Sequence, residues 1–267
     1  MRVIRGRKAL VTGAASGIGR AIALALAREG ADLFLLDIQG ETLATVVQES
    51  RTHGVEVIGR RCDVGKAQEI AESVDSLLGA WGKLDILVNN AGILYYGDTE
   101  KMTDEQWDRI LAVNLQAPIR FIRHLLPVLR EQPEAHILNV CSVAGLAPKR
   151  RLAAYQTTKF GLVGLSASLR AEYSPGGLGV TALCPGPVET GLLEAARARN
   201  WLTSRLNPPA ILQASPDRVA AHAIRAIRRN QGLVVVTAYA RVLWALQRLS
   251  PRILDTWQHF KRRRRHP

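Results

Sequence analysis

Cysteine is scarce: Cys62, Cys141 and Cys184 are the only three in 267 residues. An odd number of widely spaced thiols excludes a disulfide framework and points to a reducing compartment. Proline (12) and glycine (22) are too few for a low-complexity or disordered chain. No apolar run approaches the roughly 18 residues that a membrane-spanning helix needs. The start, MRVIRGRKALVTG, has basic residues but no apolar stretch leading to a small-residue cleavage site, so no signal peptide is expected. A cytoplasmic location follows as the expectation. The six histidines are scattered, with no HExxH and no Cys/His pair, which argues against a metal site. GLSAS at 164–168 lacks the second glycine of a nucleophile elbow, so Ser166 and Ser168 are read as helix packing.

Acids are also under-represented, 23 against 36 Lys and Arg, leaving a net charge of +13. Residues 241–267 alone hold eight basic residues and one acid, Asp255, and so supply +7. A basic end of this kind suits an acidic surface partner more than a basic catalytic face.

What the chain does contain is regular alternation. Apolar strand-like runs are expected at 8–12, 32–37, 55–60, 84–89, 135–142, 178–184 and 233–237. Helix-like periodicity falls at 17–28, 41–52, 66–78, 103–130 (with Pro118 as a bend), 153–173, 192–198 and 217–229. Nearly continuous apolar strands are buried on both faces, as in a parallel sheet. Strict βαβ alternation then gives an α/β, Rossmann-type, doubly wound sheet of about seven strands. Residues 1–238 form the expected nucleotide-binding unit, and 239–267 a C-terminal helical extension with a basic tail. Ligands of such folds sit at the carboxyl ends of the strands.

TGAASGIG at 12–19 follows the first strand and opens directly into a helix. Gly13 allows a tight turn, while Gly17 and Gly19 let the backbone approach a pyrophosphate. The helix start, with Ser16 and Ile18 beside these glycines, offers free N–H groups and a positive dipole end. The missing GK[ST] of a P-loop disfavours ATP hydrolysis. A simple strand–helix connection would need the same glycines. Asp37 ends the second strand, where a dinucleotide fold places its ribose-binding acid. Its carboxylate would accept from both ribose hydroxyls and repel a 2′-phosphate, and Ile38 adds no cation, which favours NAD over NADP. A solvated loop Asp is the plainer alternative.

Tyr155 and Lys159 form YxxxK on one face of a helix. Tyrosine has a reference pKa near 10, and a nearby ammonium lowers it. Reaching pH 7 requires about 4 kcal/mol at roughly 1.36 kcal/mol per unit. Tyr155 would then suit acid/base work. A surface pair is the alternative. Ser142, at the end of the fifth strand, is either a substrate-oxygen partner or a turn serine.

Taken together, these elements resemble the short-chain dehydrogenase/reductase family. The matched pieces are TGAASGIG, the Asp63-Val64 pair, NNAG (89–92), Asn114, Ser142, YQTTK (155–159) and PGPVET (185–190), in family order over about residues 5–237. The resemblance implies Tyr155 as acid/base and Ser142 as the group orienting the carbonyl. It implies that Lys159 lowers the tyrosine pKa and holds the nicotinamide ribose, and that Asn114 anchors a water in a proton relay. Asp63 and Val64 would flank adenine, and Asn90 and Ala91 would line the cofactor cleft. Gly92 would serve mainly the sheet centre with Asn89. Pro185, Gly186, Val188 and Thr190 would cover the nicotinamide. NAD is the implied cofactor, and the implied reaction interconverts a small-molecule alcohol and a ketone. A non-catalytic nucleotide-binding regulator on the same fold is the second reading, and a membrane-surface binding protein the third.

Many members of the family end soon after the last strand; this chain continues. Val242, Leu246, Leu249, Ile253, Trp257 and Phe260 recur three or four apart, Pro251 interrupts them, and KRRRR (261–265) follows. Packing on the core or on a dimer mate is one reading; the extension replaces the Gly-rich end that packs in the family's tetramer and so counts against that assembly, leaving a homodimer or homotetramer as the expectation. Peripheral contact with an anionic membrane is another. No recognised motif supports nucleic-acid binding. ILYYGD after NNAG departs from many acyl-carrier ketoreductases. Leu192, Leu193 and Trp201 suggest an apolar lid and a lipophilic secondary alcohol as substrate.

Overall fold

The computed structural model describes residues 1–189, 191–202, 213–250 and 252; of Leu193 it describes the backbone alone. The strands are β1 (Lys8–Thr12), β2 (Asp32–Asp37), β3 (Val57–Arg61), β4 (Ile86–Asn89), β5 (Ala135–Val140), β6 (Leu178–Cys184) and β7 (Leu233–Val235). They form one sheet in the order β3-β2-β1-β4-β5-β6-β7, and every pair is parallel. β4, β5 and β6 are buried along their whole length, which is why they read as continuous apolar runs.

The helices are α1 (Gly17–Arg28), α2 (Gly40–Arg51), α3 (Ala67–Trp81), α4 (Asp104–Leu111), α5 (Ala117–Arg130), α6 (Ala153–Tyr173), α7 (Leu192–Ala198), α8 (Pro216–Arg228) and α9 (Ala238–Leu249). One core layer joins the sheet to α1, α2 and α8 through Ile22, Leu26, Val46 and Ile227. The other joins it to α3, α5 and α6 through Leu77, Phe121, Leu125 and Leu169. The direction of winding reverses between β1 and β4, which opens a crevice at their carboxyl ends.

Several boundaries differ from the sequence pattern, three of them for an evident local reason. β4 begins at Ile86 because the buried Asp85 carboxylate accepts from the Lys8 amide at 2.9 Å and from Arg7 at 2.8 Å, clamping the start of β1. β5 stops at Val140. Ser142 instead caps the short 3-10 turn Val143–Gly145, its Oγ accepting from the Ala144 amide at 3.1 Å. The long helical stretch is interrupted at Ala112–Gln116, a π-helical turn, and not at Pro118. Pro118 lies in the first turn of α5, where a missing N–H is tolerated.

All three cysteines are free and buried. α9 rests on the body through buried Ala240 and through Trp244, which packs against the cluster of Cys141, Leu146, Leu162 and Cys184. Val242 and Leu249 of the expected apolar stripe are exposed. Pro251, Ile253, Trp257, Phe260 and the KRRRR run lie outside the described residues.

Candidate active site

The glycine turn carries the conformations that a close backbone approach requires. Gly13 has φ +65° and Gly17 φ +54°, both in the left-handed region. A Cβ on Gly19 would stand 2.0 Å from the Gly13 carbonyl oxygen, so only glycine fits there. Ser16 is the N-cap of α1, but its side chain makes no capping bond, and the first turn carries no acid. The uncapped N–H groups at this helix start are the donors a pyrophosphate would take. Ile18 packs partly on the core.

Asn90 ties this turn to the carboxyl end of β4. Its Nδ2 donates to the carbonyls of Thr12 and Gly13, each at 3.0 Å. Thr12 Oγ1 accepts from the amides of Asn90 (3.0 Å) and Ala91 (3.1 Å). Thr12 opens the glycine motif in the sequence, but only the fold shows its hydroxyl holding the segment after β4. Asn89 donates from Nδ2 to Asn139 Oδ1 at 2.9 Å, linking β4 to β5 beneath the crevice.

The Asp37 carboxylate accepts from the Ala15 amide at 2.9 Å and the Gln39 amide at 2.9 Å. It thus binds the glycine turn to the loop after β2 and is held at the crevice edge, with lone pairs left for further donors. Asp63 accepts from Arg109 Nη2 at 2.8 Å and from the Gly65 amide at 2.9 Å. Burial would raise its pKa, but these bonds outweigh it and hold the carboxyl below its ordinary value. Arg109, 46 residues away on α4, had no signal in the local sequence. Val64 beside it is buried.

Asn114 sits fully buried within the π-helical turn. Its Oδ1 accepts from the Ile93 amide at 2.8 Å and its Nδ2 donates to the Ile93 carbonyl at 2.9 Å. The turn thereby clamps the backbone that follows Gly92. A Cβ on Gly92 would lie 3.5 Å from Asn114 Oδ1 and 3.8 Å from Lys159 Nζ, so all three residues border one space.

The Ser142 side chain is placed to act on the Tyr155 phenol as a hydrogen-bond partner would, lowering its pKa. Burial pushes the Tyr155 phenol up to about 12, against the lowering effect of Ser142. This differs from the expected shift toward neutrality. The reason is geometric: Lys159 Nζ donates to the Val140 carbonyl at 2.9 Å and stands 5.6 Å from the centre of the Tyr155 ring. Burial also lowers the Lys159 pKa. Burial disfavours the charged form of both groups for the same physical cause. Gln156, which the sequence reading passed over, donates to the carbonyls of Ala144 (3.2 Å) and Ala147 (2.9 Å) and holds the loop after Ser142 in place.

Pro185 accepts at its carbonyl from the Val143 amide at 2.9 Å, joining the two loops that flank Ser142. A Cβ on Gly186 would meet Thr237 Oγ1 at 2.3 Å, so this loop lies on the N-cap of α9. Val188 bridges to Ala214. Thr190 lies outside the described residues. Beside Tyr155 an apolar wall gathers Leu94, Leu152 and Ala196 with Tyr96, Leu192, Trp201 and Leu202. The Tyr96 amide donates to the Trp201 carbonyl at 2.9 Å, and Tyr96 bridges to Leu202, fastening the segment after α7 over the segment after β4. The expected lid residues Leu192 and Trp201 are in this wall; the Leu193 side chain is outside the described residues.

The short chain dehydrogenase family model matches residues 7–201. An uncharacterized oxidoreductase of Bacillus subtilis, YxjF, is 36% identical over 190 residues, covering 71% of this chain and 74% of that protein. The probable oxidoreductase EphD of Mycobacterium tuberculosis is 34% identical over 257 residues, covering 91% of this chain but 43% of that longer protein. A short-chain dehydrogenase/reductase from Burkholderia phymatum, solved in complex with NAD, superposes with a TM-score of 0.85 at 28% identity, covering 95% of this chain and 97% of that one. A short-chain dehydrogenase from Sphingobium yanoikuyae, solved in complex with NADPH, gives a TM-score of 0.81 at 26% identity, covering 94% and 95%. The chain belongs to the short-chain dehydrogenase/reductase family, whose members are nucleotide-binding oxidoreductases.

Proposed function

We propose that the protein is an NAD-dependent oxidoreductase that interconverts a secondary alcohol and a ketone by hydride transfer. The observation that carries this reading is the convergence of Ser142, Tyr155 and Lys159 at the carboxyl end of β5, with Lys159 Nζ bonded to the Val140 carbonyl and 5.6 Å from the centre of the Tyr155 ring. It lies in a fold whose glycine turn suits a pyrophosphate. Structural relatives solved with NAD and with NADPH support a nicotinamide cofactor. The choice of NAD rests on Asp37, whose carboxylate accepts ribose hydroxyls and repels a phosphate.

Gly13, Ser16, Gly17, Ile18 and Gly19 would hold the pyrophosphate, Asp63 and Val64 the adenine, and Asn90, Ala91 and Gly92 the cleft floor. Pro185, Gly186, Val188 and Thr190 would cover the nicotinamide. When bound, that ring supplies the hydride acceptor or donor. Ser142 Oγ holds the substrate oxygen. In oxidation Tyr155 Oη takes the hydroxyl proton as hydride leaves the carbon; in reduction it returns a proton to the carbonyl oxygen. Lys159 and Asn114 complete the set, Lys159 toward the cofactor ribose and Asn114 by fixing the backbone at Ile93. At neutral pH a phenol held near 12 is protonated, so the site is poised as an acid for carbonyl reduction.

The apolar wall beside Tyr155 supports a lipophilic substrate. A homodimer or homotetramer, a cytoplasmic location and a peripheral contact of the basic tail with an anionic membrane belong to the same proposal. Among the described residues no helix is long and apolar enough to cross a membrane.

A panel of secondary alcohols and ketones of graded lipophilicity, followed by NADH absorbance, tests the activity. Turnover that favours apolar substrates is expected. Tight NADH binding with no turnover on any member would favour a non-catalytic nucleotide-binding regulator instead.

A further inference from the structure

We propose that the outer faces of α8 and α9 form a docking surface for an anionic lipid bilayer. The location of the charge is the first observation. Residues 218–267 hold twelve Lys and Arg against one acid, and so supply +11 of the chain's +13. Residues 218–254 contain no acid at all.

The fold gathers part of that charge on one surface. Arg218, His222 and Arg225 recur along α8, with Arg229 at its C-cap, while Val219, Ala220, Ala223 and Ile227 are buried on the opposite side. Burial lowers the His222 pKa, and the charges of Arg225, Arg218 and Arg241 lower it further. The charges of Arg218 and Arg225 from α8 and of Arg241 from α9 thus act on the same imidazole. Arg228 is paired with Glu29. Among the described residues no ion pair reaches Arg28, Arg218, Arg225, Arg229 or Arg241. The acids on this face are Glu29 and Asp217, fewer than the arginines beside them, and such an excess of like charge is an electrostatic cost that an anionic partner removes.

The exposed stripe of α9 points to the kind of partner. Its exposed positions are Ala238, Arg241, Val242, Ala245, Arg248 and Leu249, all on one helical face. Val242 is 58% and Leu249 80% exposed, although Ala240 and Trp244 already anchor the other side of the helix. Arginines interleaved with aliphatic side chains on a short helix are the composition of an interfacial helix, in which headgroups meet the cations and the acyl boundary takes the aliphatics. A polynucleotide would neutralise the arginines and leave Val242 and Leu249 in water. A second copy of the chain would bring Arg241 and Arg248 to a surface already rich in the same charge. The surface extends the tail contact proposed above to two helices of the fold and uses no residue of the catalytic set.

The test is co-sedimentation of the full chain with vesicles of phosphatidylcholine and phosphatidylglycerol, against phosphatidylcholine alone, at low and high salt. Binding to the anionic vesicles only, reversed by salt, is expected. V242E/L249E abolishes it, and R225A/R229A weakens it roughly five-fold per arginine, equivalent to about 1 kcal/mol each. NADH affinity and thermal midpoint stay at the parent values, which keeps this test separate from that of the catalytic reading. If V242E/L249E lowers the midpoint, V242S/L249S replaces it. Four results overturn the proposal: no binding at low salt; unchanged binding by both variants, which would leave the tail alone responsible; a dimer in solution split by V242E/L249E while lipid binding persists; or tighter binding of duplex DNA than of vesicles.

Discussion

Lys159 donates to the Val140 carbonyl at 2.9 Å, while its Nζ stands 5.6 Å from the centre of the Tyr155 ring. The ammonium therefore holds the end of β5 and does not touch the phenol oxygen through a hydrogen bond. Lys159→Ala removes the donor to a buried carbonyl as well as the proposed cofactor contact. Both the thermal midpoint and NADH affinity are expected to fall. Tyr155→Phe keeps the ring and is expected to cut turnover by about two to four orders of magnitude with NADH binding nearly unchanged. Steady-state rates beside a fluorescence titration of NADH check both; near-normal turnover by the phenylalanine variant would require another acid/base.

The same burial sets a pH dependence. With its pKa pushed up to about 12, Tyr155 is a proton donor throughout the neutral range. Alcohol oxidation needs the phenolate, so its kcat/KM is expected to rise with pH, about tenfold per unit, until ionisation is complete or the protein unfolds. Ketone reduction needs the phenol, so its kcat/KM stays flat from neutrality and falls only at strongly alkaline pH. A plateau for oxidation near pH 7 would contradict the assignment.

Asp37 joins the Ala15 and Gln39 amides and faces the proposed ribose site. Asp37→Ala is expected to weaken NADH by about 2 kcal/mol, as expected for losing hydrogen bonds to a charged acceptor. NADPH binding should weaken less, because the repulsion goes with the carboxylate. Calorimetric titration of both cofactors measures the ratio; parent protein that binds the two equally would remove the argument for NAD.

His136 on β5 is fully buried, bonded through Nε2 to Thr181 Oγ1 at 2.8 Å, with Nδ1 left without a partner. Burial depresses its pKa from 6.5 to about 3. The unfolded chain therefore binds a proton that the folded chain refuses between these values. This contribution to stability is complete above pH 6.5 and is lost as pH falls toward 3, at about 1.4 kcal/mol per unit. Urea unfolding at a series of pH values should show that slope, and His136→Gln should flatten it.

The parts of this protein that repeat along the chain were legible without a structure. Strand and helix periods, Gly13, Gly17 and Gly19 before a helix, and the i, i+4 relation of Tyr155 and Lys159 are local patterns, because backbone geometry imposes them over a few residues. The seven-strand parallel sheet follows from them through the handedness of its connections.

Other features depend on pairs that meet only after folding. Arg109 reaches Asp63 across 46 residues, and Asn139 meets Asn89 across 50. Ser142 leaves β5 because its hydroxyl finds the Ala144 amide, and the helix break falls at Asn114 because that side chain grips Ile93. The sequence placed Lys159 one helical turn from Tyr155, but only packing decided that its ammonium turns to Val140 and that desolvation dominates the phenol. A side chain's charge and shape are set by the chain itself. Its partner and its loss of water are set by whatever the fold brings beside it.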